Sequence, residues 1–338
     1  KFDERQSQFL IVEGAAGMGK SEFLEAVQKN LSKNGNWQIT VKGNPQELFR
    51  PYYLTTSILI DVLKQKTEKG VDILETLKPK EIFYLSYVLP QLGETDGYSK
   101  DDERTQREGL FTTLVHFIPK VFDSRPLILL IDDLDLVDEA TLLLLRRLIL
   151  DRSFPILICA TATDTRQDRG DGQPAPLERF YGTHCKELDI HKVSLTPLTA
   201  ANIAEHLQAI FPELKLPENY EKNLAQTTQG NPLFLNEIVR KLVQDRKMTL
   251  VGNQWIAEPL EEGYLPKSLE EIVQQKIAAL DEENRRLLDH ASTFGENVSL
   301  SMLSGSSEER ETRVLEFIDQ AVAQGLVSSE FQLNDEII

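Results

Sequence analysis

The sequence predicts an α/β protein, a parallel sheet of about five strands followed by a largely helical second half. Three observations carry this. Short β-rich runs alternate with helical stretches over the first 195 residues, the pattern of a parallel sheet with crossover helices. Several of those runs are almost continuously apolar, as strands covered on both faces must be. After Thr196-Pro197-Leu198 the pattern turns helical. With 338 residues the chain is too long for one compact core and suits two or three domains.

In chain order, strands are expected over 8–13, 38–42, 127–131, 155–160 and 191–195. Between the second and third, helical signals cover 52–65 and 104–122, with a polar loop over 93–102. A helix over 140–150 follows the third strand, with Asp138 as its capping residue. Residues 164–176, rich in Arg, Asp, Gly and Pro, read as a mobile loop. Helices are then expected over 200–211, 221–227 and 231–245, followed by a hairpin within 248–259 that turns at Gly252-Asn253. Further helices cover 268–279, 282–291, 298–304 and 308–324, the last stopped by Gly325. A short strand pair over 326–329 and 330–333 would close a winged helix.

Composition narrows the function. Hydrophobic residues make up 41% and charged residues 27%, an ordinary globular balance. No apolar run reaches the ~18 residues of a membrane span, and the start does not resemble a signal peptide. A net charge of −17 argues against a large nucleic-acid footprint, which needs a basic face. It leaves room for a nucleotide, because one pocket of amides, a lysine and a metal can offset the global field. Cys159 and Cys185 form no metal or disulfide framework, and a reducing, cytoplasmic setting fits them. The five histidines show no metal spacing. The chain opens on Lys1 and closes on Ile337-Ile338, which reads as a piece of a longer protein.

Gly14-Ala15-Ala16-Gly17-Met18-Gly19-Lys20-Ser21 matches G-x-x-x-x-G-K-[ST] in full, the phosphate loop of P-loop NTPases. Glycines let the backbone curl until successive N–H groups converge on phosphate oxygens. Lys20 would reach the β- and γ-phosphates, and the Ser21 hydroxyl would ligate Mg²⁺. The motif follows an apolar strand and opens a helix, whose first turn holds Glu22, so the positive end of the helix dipole faces the anion. The cofactor-binding stretch is therefore Gly14 to Glu22.

The run from Leu127 to Ile131 ends in Asp132-Asp133. Ligands of open α/β sheets sit at the carboxyl ends of the strands, so Asp132 would face the metal beside Ser21, and Asp133 would orient or polarise the attacking water. The bland alternative is that the two acids only open the loop. Catalysis is thus expected from Lys20, Asp132 and Asp133, and metal binding from Ser21 and Asp132.

With these motifs placed, the chain resembles the STAND-class signalling ATPases, relatives of the AAA+ proteins. The resemblance rests on Gly14 to Ser21, on Asp132-Asp133-Leu134-Asp135-Leu136-Val137-Asp138-Glu139-Ala140, on Leu195-Thr196-Pro197-Leu198, on Gly230-Asn231-Pro232-Leu233-Phe234-Leu235, on Leu265-Pro266-Lys267-Ser268-Leu269, and on the stretch from Glu282 to Leu288. It implies a P-loop core over 1–195, a helical lid over 196–247 and a winged-helix-like domain over 248–338, closing over ATP or ADP. It also implies that Pro232 touches the adenine; on spacing alone Gly230-Asn231-Pro232 is equally a helix start.

The chain departs from the family where it often has a γ-phosphate-sensing arginine. Thr161-Ala162-Thr163-Asp164 stands there, with Arg166 and Arg169 displaced into the following loop, which points to slow turnover. A histidine usual at the winged-helix end is missing from Phe331-Gln332-Leu333-Asn334-Asp335, and the usual segment before the first strand is absent. Arg146 and Arg147 could serve as a finger across a subunit interface, though a solvated helix face is the favoured reading. The function expected is a slow ATPase switch read by flanking effector or sensor domains, with protein partners or a nucleotide-dependent oligomer. The alternative is a nucleotide-gated DNA-binding regulator. A small-molecule kinase would leave the C-terminal half without a role, and a GTPase would need an Asn-Lys-x-Asp segment.

Overall fold

The computed structural model describes residues 7–31, 37–48, 50–67, 77–92, 103–122, 126–151, 154–163, 175–261, 263–295 and 298–327. The chain divides into two compact units, residues 1–196 and 197–338.

The N-terminal unit is built on five parallel strands: β1 (Gln8–Gly14), β2 (Trp37–Lys42), β3 (Leu127–Asp132), β4 (Ile156–Thr163) and β5 (Ile190–Ser194), in the order β2-β3-β4-β1-β5. Each expected strand is present, with ends that coincide or shift by up to three residues. Their apolar character follows from position. In β3 every residue from Leu127 to Ile131 is buried, and the strand side chains split by their period of two. Leu127, Leu129 and Ile131 join the main core. Ile128 and Leu130 join a second cluster with Leu24 of α1 (Lys20–Leu31) and Cys159 of β4. Helices α2 (Tyr53–Thr67), α3 (Pro79–Leu85), α4 (Glu103–Val121), α5 (Glu139–Leu150) and α6 (Pro176–His184) complete the unit.

Asp138 caps α5 as expected, accepting a hydrogen bond from Thr141 N at 2.9 Å. The leucines 142–145 of that helix pack into the main core. Two helices depart from the sequence expectation. Both α3 and α6 are short and start at proline, with Glu81 and Glu178 reaching back to the main-chain N–H of Lys78 and Ala175. The polar loop over 93–102 and the stretch 164–174, with Arg166 and Arg169, lie outside the described residues.

The C-terminal unit contains α7 (Ala200–Ile210), α8 (Tyr220–Thr228), α9 (Pro232–Gln244), the hairpin β6 (Met248–Val251) and β7 (Gln254–Ala257), and α10 (Leu269–Ala278). These share one core around Leu207, Tyr220, Leu235 and Leu242. A second core joins α11 (Glu282–Ser292), α12 (Leu300–Ser307) and α13 (Glu311–Ala323) through Leu287, Leu303, Val314 and Phe317. Thr199, Asn231, Ser268, Asp281 and Ser299 each cap a helix with a side-chain oxygen. The last two helices are displaced from the sequence expectation because Glu308 adopts a left-handed conformation (φ 59°), which ends α12 and delays α13. The expected strand pair that would close a wing falls, from residue 328 onward, outside the described residues, as does the stretch 331–335.

Candidate functional site

Strand register brings the candidate residues to one edge of the sheet. Gly14 at the end of β1 is level with Thr163 of β4, and Ile131 of β3 is level with Ala160, which sets Asp132 beside Thr161. The bend from Gly14 to Gly19 therefore opens beside the carboxyl end of β3, with one strand between.

The bend has the conformation its glycines suggest. Gly17 and Gly19 have φ of 79° and 82°, a region that L-residues seldom occupy. Ala15 and Ala16 are exposed, whereas Gly17, Met18 and Gly19 are half-buried. In the first turn of α1, Phe23 N already donates to Gly19 O at 2.9 Å, whereas the amides ahead of it precede the first i−4 carbonyl of the helix and can serve an anion. Glu22 lies exposed in that turn with its carboxylate beside Gly19, so a phosphate contact from this residue would use its main-chain N–H.

Lys20 is only 7% exposed, and its ammonium donates to the carbonyls of Gly14 and Ala15, both at 3.1 Å. The charge is thus folded over the bend. A buried lysine is costly unless its ammonium is hydrogen-bonded, and these two carbonyls meet that need.

Across the edge, Ser21 Oγ donates to Asp132 Oδ2 at 2.8 Å. Two oxygens adjacent on an octahedral Mg²⁺ with bonds of ~2.0–2.1 Å lie about 2.9 Å apart, so this pair fits a magnesium ion without moving either element. A hydroxyl and one carboxylate form a minimal set, which suits Mg²⁺ because that ion keeps phosphate and water ligands. Among the described residues no group of three or more His, Cys, Asp or Glu side chains is arranged to hold a metal.

The acidic turn after β3 is clamped on both sides. Asp132 Oδ1 accepts from Thr161 Oγ1, Asp133 N donates to the same hydroxyl at 2.9 Å, and Asp135 Oδ1 accepts from Thr163 N at 3.0 Å. On the other side, Gly43 N donates to Asp132 O at 2.8 Å. A Cβ at Gly43 would stand 2.2 Å from Asp133 O, so a side chain there would displace the turn.

Asp133 itself is left-handed (φ 54°, ψ 54°), and its side chain caps nothing. Its carboxylate lies 3.8 Å from Lys42 Nζ. Burial, with Asp132 and Asp135 close by, holds its carboxyl above the usual carboxylate range, against the opposing pull of Lys42 and Lys20.

Other expected positions have local settings of their own. Arg146 makes a bidentate pair with Glu187, at 2.9 and 2.7 Å, which supplies that arginine with a local role. Pro232 stands at the first position of α9 behind the Asn231 cap, the helix-start geometry read from the sequence. Burial pushes the Cys159 thiol up to about 11, as a core cysteine would be. Thr161 was not among the sequence candidates. The signal that could have found it is a threonine inside an apolar strand, level with the acid of the neighbouring strand.

The profile of the AAA ATPase domain family matches residues 2–159. No curated protein matches the chain. Among solved structures, AMPPCP-bound DnaA from Aquifex aeolicus is similar at 15% identity and a TM-score of 0.34, covering 94% of this chain and 82% of that one. A DNA replication initiation factor is similar at 14% identity and a TM-score of 0.36, covering 94% and 83%. Drosophila ORC bound to AT-rich DNA and Cdc6 is similar at 10% identity and a TM-score of 0.30, covering 96% and 79%. Scores this low leave all three as likenesses only. The five-stranded parallel sheet and the full phosphate-loop sequence give the N-terminal unit the α/β fold of the P-loop NTPases, and residues 2–159 within it are similar to the AAA ATPase domain family.

Proposed function

We propose that the chain is a slow, magnesium-dependent ATPase of the STAND class, whose ATP and ADP states act as a switch for flanking effector or sensor domains. The observation that carries this is the 2.8 Å contact between Ser21 Oγ and Asp132 Oδ2 beside a glycine bend. Main-chain amides from Gly14 to Glu22 bind the phosphates, and Lys20 leaves its two carbonyls to meet the β- and γ-phosphate oxygens. Ser21 and Asp132 hold the ion, which when bound offsets phosphate charge. Asp133 orients the attacking water. Thr161 to Thr163 supply no guanidinium to the transition state, which supports slow turnover in the absence of a partner.

Residues 196–247 are proposed as a lid, with Pro232 against the adenine, and 248–338 as a winged-helix-like domain; motion of these with nucleotide state is what partners read. A switch of this kind requires ATP and ADP to differ in their contacts to two states. A cytoplasmic setting and a nucleotide-dependent oligomer are parts of the same proposal.

Thermal unfolding tests it. ATP with magnesium at about a hundred times its Kd should raise Tm by about 5–10 °C. Lys20→Ala should remove that shift. GTP stabilising as strongly as ATP would overturn the adenine assignment, and phosphate release at tens per second without a partner would overturn slow turnover. The net charge of −17 speaks against DNA; a salt-dependent gel shift at modest protein concentration would replace the switch with a DNA-binding regulator.

A further inference from the structure

We infer that Thr161 is a positioning residue that divides the two oxygens of Asp132, fixing Oδ1 to the strand and leaving Oδ2 to the cation beside Ser21. The inference rests on the magnesium reading above and adds to it a residue that contacts neither nucleotide nor ion.

Thr161 is fully buried in β4, inside an otherwise apolar run. Valine has the same shape and the same preference for strands, so packing alone gives no reason for a hydroxyl here. A buried hydroxyl costs stability unless it is hydrogen-bonded, and this one has two partners of opposite kind. Asp133 N–H can only donate, so at 2.9 Å it occupies a lone pair of Thr161 Oγ1. The hydroxyl proton is then committed to Asp132 Oδ1. The chain of bonds has one direction, from main-chain N–H to hydroxyl to carboxylate.

The consequence concerns the softest torsion of the site. A carboxylate turns about χ2 in a broad, roughly two-fold well, so a strand end alone does not decide which oxygen faces the ion. With Oδ1 held by Thr161, Oδ2 lies 2.8 Å from Ser21 Oγ. The same hydroxyl also holds the amide of Asp133, whose left-handed backbone needs support. One side chain thus sets both the carboxylate plane and the turn that follows it.

The test is a magnesium titration of ATP-dependent thermal stabilisation, at fixed ATP, in wild type, Thr161→Val and Thr161→Ser. Loss of a hydrogen bond to a ligating carboxylate costs about 10–100-fold in metal affinity. Thr161→Val should therefore raise the magnesium concentration at half-maximal stabilisation by about tenfold or more, while ATP stabilisation in EDTA stays at the wild-type level. Thr161→Ser, which keeps the hydroxyl and loses only the methyl, should stay within about twofold of wild type. Thr161→Cys, with its weak donor, carries the same expectation as valine should valine prevent folding.

A valine variant with the wild-type magnesium curve overturns the inference alone, as does a serine variant more impaired than valine, the order that packing would give. A wild-type protein whose ATP stabilisation ignores magnesium overturns the magnesium reading and this inference with it.

Discussion

Among the described residues, the N-terminal unit buries the polar side chains Lys20, Thr55, Thr113, Asp135, Asp138, Thr141 and Thr161, whereas the C-terminal unit buries Thr228 and Asn284. The difference lies in placement as well as number. In the first unit most of these groups sit at or just beyond the edge where β1, β3 and β4 end, and they tie loops to one another. In the second, buried contacts are apolar and the polar ones are mainly helix caps and surface ion pairs. Buried polarity is costly unless satisfied, so a unit that concentrates it at one edge has a geometry to hold there.

Each unit has a buried polar knot away from the candidate site residues, and the pair allows the comparison to be broken. Asp138 accepts from Tyr52 N at 3.1 Å, from Thr141 N at 2.9 Å and from Thr141 Oγ1 at 2.7 Å, joining the start of α2 to α5. Asn284 donates to Asp281 Oδ2 at 3.0 Å and to Gln320 Oε1 at 2.8 Å, and accepts from Arg313, joining α11 to α13. Bonds to a charged acceptor are stronger than neutral ones, and deletion leaves their donors buried. Asp138→Ala should therefore cost about 3 kcal/mol in urea unfolding of the N-terminal unit.

Asn284→Ala should cost about 2 kcal/mol and act on the C-terminal unit. Equal costs, or an Asp138→Ala variant that unfolds like wild type, would remove the contrast between the two units.

The smallest effect sharpens the contrast further, because Asp133 opposes stability where Asp138 supports it. Its carboxyl is held above the usual range, chiefly by burial and by Asp132. Ionisation is then harder in the folded chain than in the unfolded one. Stability from this position is greatest below the unfolded pKa and is lost as pH rises through the raised folded value. Asp133→Asn should thus stabilise the metal-free protein in EDTA at neutral pH, with the gain disappearing below about pH 4. A gain that persists unchanged into acid would assign the effect to something other than charge.

The sheet was readable from sequence because a strand covered on both faces has to be apolar at nearly every position, as Leu127 to Ile131 are. The glycine bend after β1 was readable because its glycines and lysine stand in one short run. The helices α3 and α6 were not, because each has fewer than three turns and lacks a Ser, Thr, Asp or Asn cap. Both share a usable signal, Pro79-Lys80-Glu81 and Pro176-Leu177-Glu178: proline at the first helical position and a glutamate two residues on that bonds back. Thr161 escaped because its partner lies 29 residues away in the chain and only strand register brings the two together. The same holds for Gly43, whose neighbour Asp133 belongs to the adjoining strand's exit.

Strand β2 lies at the outer margin of the sheet, with two strands between it and the glycine bend that follows β1, yet it gauges the acidic turn. The Asp133 carbonyl fits against residue 43 only because hydrogen occupies the place of a side chain. Even alanine would act there as a wedge, prising the turn from its seat although no reacting group had been altered. The margin of the sheet therefore has one position whose freedom to vary is set by events at its centre.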